Sequence, residues 1–128
     1  METTVVEWNG QQPAVLVPLI GRKIQRAWEH GESLMLLIEG AKFARINAAP
    51  CIGDMRAVVA LQIGTVKNAA HLTADLDAHI PQNPHTEEIA GMTFTGMDAD
   101  VVMFASKRFI SDYGARVTPT GIEWVKVA

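Results

Sequence analysis

Residues 65–80 carry two side-chain stripes at i, i+4 spacing, which restricts the chain to folds where a helix lies against an apolar surface. Leu72, Leu76 and Ile80 form one stripe. His71, Asp75 and His79 form the other, about 100° away around the helix. The apolar stripe needs a core to dock on. Thr65 is a suitable N-cap. Pro81 ends the helix, because it disfavours helical geometry at Ile80 and cannot continue the hydrogen-bond ladder.

The rest of the chain reads mainly as strands, so the surface under the helix is a sheet. Residues 3–8 are β-branched and aromatic in character, and Asn9-Gly10 is a hairpin dipeptide. Residues 14–17 suit a return strand, interrupted by Pro18. Residues 19–29 admit two readings. Ile20, Ile24, Ala27 and Trp28 fit one helix face, stopped at Gly31. Alternatively, residues 22–29 form a strand that turns at His30-Gly31 into the apolar run 34–38; the hairpin is favoured. A turn at Glu39-Gly40 and a strand at 42–46 follow. Residues 47–54 suit a loop holding Cys51, and the β-branched content of 56–63 favours a strand. Beyond Pro81 and Pro84, which read as a short linker, strands are expected at 92–95, 100–105 and 122–127. In the last of these Ile122, Trp124 and Lys126 share a face. The expected fold is α+β, an antiparallel-rich β-sheet with one principal helix (about 65–80) packed on a face, in a single domain spanning 1–128.

Composition narrows the function classes. A chain of 128 residues supports one ordinary core, and 48% hydrophobic against 20% charged residues is globular, not disordered. The apolar runs fall far below the roughly 20 residues a membrane span needs. Met1-Glu2-Thr3-Thr4 lacks the basic start of a secretory signal, so a cytoplasmic location is expected. Cys51 has no second cysteine to pair with. A net charge of -3 and 6% aromatics give no global reason to expect nucleic-acid binding.

Four constellations bear on chemistry. Arg22, Lys23 and Arg26 cluster just before Trp28. On a strand, Arg22, Arg26 and Trp28 share a face with Ile24, a mixed basic and apolar surface suited to a protein partner or a small anionic ligand. The plainer reading is a solvated strand. His71 with Asp75, or Asp75 with His79, has the spacing to chelate a metal ion. His71 and His79 lie about 12 Å apart along the axis, so all three cannot bind one ion. Further ligands must come from elsewhere, such as Asp77 or His85; the plainer reading is a polar helix flank. Asp98 and Asp100 sit on one side of a strand, a weak cation pair, and Cys51 has no histidine beside it in sequence. Met92, Met97 and Met103 with Phe94 and Phe104 read as core, while Ser33, Ser106 and Ser111 lack a nucleophile-elbow context.

The sequence thus points to a small non-catalytic binding protein, engaging a protein partner or small anionic ligand through Arg22, Arg26 and Trp28. Exposed sheet edges make homo-oligomerisation plausible. A metal-assisted hydrolase built on His71, Asp75 and His79 is one alternative, and a structural assembly subunit is another. No cofactor is indicated.

Overall fold

The computed structural model describes residues 2–7, 13–48, 58–98, 101–107 and 110–126. Strands β1 (Glu2–Glu7), β2 (Ile24–His30), β3 (Ser33–Ile38), β4 (Lys42–Ala48) and β5 (Val58–Thr65) form a five-stranded sheet in the order β1-β5-β4-β3-β2. Strands β6 (Thr93–Asp98), β7 (Val101–Ala105), β8 (Tyr113–Thr118) and β9 (Gly121–Lys126) form a four-stranded sheet in chain order. Helices α1 (Ala69–His79) and α2 (Pro84–Ile89) connect the two. Among the described residues every strand pairing is antiparallel. The fold is α+β, with one principal helix on a sheet face.

β3 shows why these layers form. All its residues are buried, because both faces of the strand are covered. Leu34, Leu36 and Ile38 point into the core between the sheets, where they meet Phe94, Val102, Phe104, Ala115 and Val117. Met35 and Leu37 point the other way and join Trp28, Phe43 and Ile80 in a second cluster beneath α1. Leu72 and Leu76 pack on that cluster but stay only partly buried. The Leu72, Leu76, Ile80 stripe therefore docks as its spacing requires. Its modest burial leaves part of the helix attachment to polar contacts.

The sheets join along one seam. Backbone bonds run from Gly21 N to Phe94 O (2.8 Å), from Phe94 N to Arg22 O (2.9 Å) and from Ile24 N to Met92 O (2.8 Å). The expected return strand at 14–17 does not form. Residues 13–20 make tight turns including a 3-10 helix at Val17–Leu19, and Leu16 and Leu19 bury into the core between the sheets. Pro18 excludes a ladder there, and β1 pairs with β5 instead.

Other boundaries differ for identifiable reasons. Thr65 ends β5, opposite Lys42, and the N-cap of α1 is Asn68, whose side chain accepts from His71 N at 3.0 Å. The segment read as a linker contains α2. Asn83 and Thr86 form a capping box there, with Pro84 in the first turn, where its missing N–H costs nothing. β8 has no counterpart among the expected strands. Trp8, Asn9, Gly10, Cys51 and Asp100 lie outside the described residues. Among the described residues, no helix is long and apolar enough to cross a membrane.

Candidate functional site

The hairpin reading of residues 22–38 holds, but a bulge divides its basic residues. The β2–β3 register shifts between Ile24 and Arg26. A bulge inserts an extra residue and so reverses which face the following side chains occupy. Ile24 accordingly enters the core between the sheets, while Trp28 faces α1. Arg22, before the bulge, sits at the end of the sheet. The face expected for Arg22, Ile24, Arg26 and Trp28 is therefore split: Arg26 and Trp28 share one side, and Ile24 lies on the other.

Arg26 and Trp28 converge on one carboxylate of α1. Trp28 Nε1 donates to Asp77 Oδ1 at 2.9 Å, and Arg26 Nε donates to the same oxygen at 3.1 Å. Arg26 also pairs with Asp77 Oδ2 at 2.8 Å. The Trp28 N–H, then the Arg26 hydrogen bond, hold the Asp77 carboxyl below its ordinary pKa against a smaller opposing effect of desolvation. Trp28 is 0% exposed and offers no stacking face to solvent. This trio fastens α1 to β2.

Arg22 belongs to a different assembly. Its Nε donates to Pro18 O and its terminal nitrogen to Glu39 O, both at 3.1 Å. Gly40, at φ +90, has no side chain to obstruct the guanidinium, which occupies the space a Cβ would need. Glu39 N donates to Lys23 O at 2.9 Å, and Val66 N to Ala41 O at 2.8 Å. Lys42 Nζ donates to Thr65 Oγ1 at 2.7 Å. Segments 21–23, 39–42 and 65–68 thus meet at one end of the five-stranded sheet. These segments carry Arg22, Lys23, Lys42 and Lys67, with Glu39 as the only acidic residue in them. Lys23 and Lys67 are exposed. α1 starts here too, with no acidic side chain in its first turn to offset the helix dipole. In a chain of net charge -3 this end is locally basic.

His71, Asp75 and His79 lie on the exposed flank of α1. His71 Nε2 is 3.3 Å from Asp75 Oδ2, and His79 Nδ1 is 2.9 Å from the Asp75 carbonyl oxygen. His79 therefore turns toward the backbone and not toward the Asp75 carboxylate. His85 lies elsewhere, with Tyr113, and Asp77 is engaged by Arg26 and Trp28. Among the described residues, no group of three or more His, Cys, Asp or Glu is placed to hold a metal ion.

A further cluster is not visible from sequence spacing. His85 Nδ1 lies 2.6 Å from the Tyr113 hydroxyl, and its ring stacks on Trp124 at 5.0 Å between centroids and 6° between planes. Trp124 Nε1 donates to Glu29 Oε1 at 2.8 Å, which also accepts from Asn83 Nδ2 at 3.0 Å. Burial first, then the Glu88 carboxylate, push the Tyr113 phenol pKa up. The cluster joins β2, α2, β8 and β9 through these bonds and the ring stack. The serines are similarly engaged: Ser33 donates to Asn47, Ser106 to Asp112, and Ser111 Oγ is 2.8 Å from Thr95 Oγ1. Asp98 is an exposed strand end.

Against known proteins, the chain matches no family model, no curated protein and no solved structure.

Proposed function

We propose that this protein acts by binding, without catalysis, and that it takes an anionic group at the basic end of its five-stranded sheet. The group belongs to a protein partner or to a small molecule. The observation that carries this reading is the convergence of Arg22, Lys23, Lys42 and Lys67 from separate turns. Arg22 supports it further, because two backbone carbonyls fix its guanidinium in place before any ligand arrives. A pre-positioned cation loses less side-chain entropy on binding than a free one. Arg26 and Trp28 contribute indirectly, by holding α1 and hence the Lys67 turn against the sheet.

Fluorescence anisotropy with labelled poly-L-glutamate tests the reading. The triple variant Lys23→Gln, Lys42→Gln, Lys67→Gln spares the structural bonds of Arg22. It gives up the exposed Lys42–Thr65 bond, so its unfolding midpoint should fall only slightly, while binding weakens at least about tenfold and wild-type binding weakens steeply with added salt. Equal affinity in the triple variant, or no binding by the wild type at low salt, overturns the proposal.

A further inference from the structure

Beside the basic end lies a shoulder whose exposure the fold does not require. Residues 13–21 contain no charged or hydrogen-bonding side chain. Leu16 and Leu19 turn inward and close the seam between the sheets, at 0% and 2% exposure. Their neighbours turn outward. Val15, Val17 and Ile20 are 37%, 53% and 39% exposed, with Ala14 and Pro18 exposed among them. The two leucines complete the core, so the outward aliphatic side chains add apolar surface without serving folding.

The shoulder and the basic end meet at Arg22. Its backbone N donates to Leu19 O at 3.1 Å, and its guanidinium is bound to Pro18 O. A ligand that reaches from the cations onto Ile20 and Val17 can engage both surfaces. The shoulder offers no side-chain hydrogen bonds, so what binds there does so by burying apolar groups. We infer that the partner at this end is a protein segment carrying apolar side chains beside carboxylates. The apolar side chains seat on Val15, Val17 and Ile20, and the carboxylates on Arg22 and its neighbouring lysines. The inference rests on the binding reading proposed above and narrows its ligand class.

Other occupants fit less well. A small anion covers the cations and leaves the aliphatic shoulder in water. A second copy in two-fold contact through the same patch brings two cation clusters of like sign into one interface. A uniformly anionic surface such as a lipid bilayer meets the Glu39 carboxylate, which is exposed among the cations. A protein segment with discrete charges can place its carboxylates around Glu39.

The test is selection of a phage-displayed library of random short peptides on the full chain, with synthetic copies of the enriched peptides measured by anisotropy. Enriched peptides should place Asp or Glu next to Leu, Ile or Phe. Their affinity should fall about tenfold or more for Val17→Asp, the change expected when one aliphatic side chain loses its burial. Val17→Ser, which removes the aliphatic surface without adding charge, should show a clear loss as well and covers any disturbance of the turn by Asp. Acidic peptides that need the lysines but ignore both Val17 variants overturn this inference and leave the binding reading intact. Peptides indifferent to Val17 and to the lysines overturn this inference, as does a failure to enrich any peptide, while the poly-L-glutamate titration decides the binding reading separately. Binding to phosphatidylcholine–phosphatidylserine vesicles with loss in the Val17 variants, and no peptide enriched, replaces the protein partner with a lipid surface.

Discussion

Substituting Asp77 by Ala tests how α1 is held. The helix presents Leu72 and Leu76 only half buried, so apolar contact alone fastens it weakly. Asp77 supplies what is missing, accepting from Trp28 Nε1 at 2.9 Å and pairing with Arg26 at 2.8 Å. The Arg26–Asp77 pair has side chains 37% and 34% exposed, and such a pair contributes at most about 1 kcal/mol. The Trp28 N–H contributes more. Its side chain is 0% exposed, so removal of the acceptor strands a buried donor at a cost of about 1–3 kcal/mol. The expected loss is about 2–3 kcal/mol, measured by urea denaturation. It corresponds to a fall in Tm of about 6–15 °C for a domain of this size. A double-mutant cycle with Trp28→Phe separates the tryptophan bond from the ion pair. Where Phe has already removed the donor, Asp77→Ala should cost about 1 kcal/mol or less. A cost below about 0.5 kcal/mol in the wild-type background, or an equal cost in both backgrounds, refutes the assignment of Asp77 as the polar anchor of α1.

The same carboxylate sets an acid limit. Its folded pKa lies below its unfolded value of about 3.9, so the unfolded state binds more protons and stability is lost as pH falls through the folded pKa. Denaturation midpoints measured from about pH 5 downward should fall more steeply for wild type than for Asp77→Asn, and parallel curves contradict this. Asn83→Ala removes the α2 cap and the bond to Glu29, costing about 1–2 kcal/mol. Asn83→Ser keeps a capping oxygen and should recover about half of that by the same denaturation assay. At Gly114 a Cβ would stand 2.8 Å from Val101 Cγ1 and 3.2 Å from Met103 Sδ. Gly114→Val should therefore cost about 1–3 kcal/mol, partly relieved by Val101→Ala; no relief in the double variant counts against the clash.

What the sequence conveys depends on the range of the interaction. The buried run of β3, the Glu39-Gly40 turn and the docking stripe of α1 are local patterns, and each stands in the structure where its pattern places it. Thr65 and Asn68 are both legitimate caps, and only the pairing of Thr65 with Lys42 across the sheet decides between them. Asn83-Pro84-His85-Thr86 carries a cap, a first-turn proline and a capping-box partner, a local helix start obscured by reading Pro81 and Pro84 as the ends of a linker. β8 opens Tyr113-Gly114-Ala115, where the glycine and alanine are weak strand formers that suit a place crowded by Val101 and Met103. The bulge before Arg26 leaves no mark in the alternation, so the faces of Arg22 and Trp28 separate unannounced. The basic end draws on residues 22, 23, 42 and 67, which only the sheet register brings together.

Binding at the basic end is tested most directly by an amide chemical-shift map of the ¹⁵N-labelled protein titrated with poly-L-glutamate. The largest changes are predicted at residues 21–23, 39–42 and 65–68, extending into 15–20 when the added peptide also carries apolar side chains. Changes centred on the His71–His79 flank of α1 or on the four-stranded sheet contradict it.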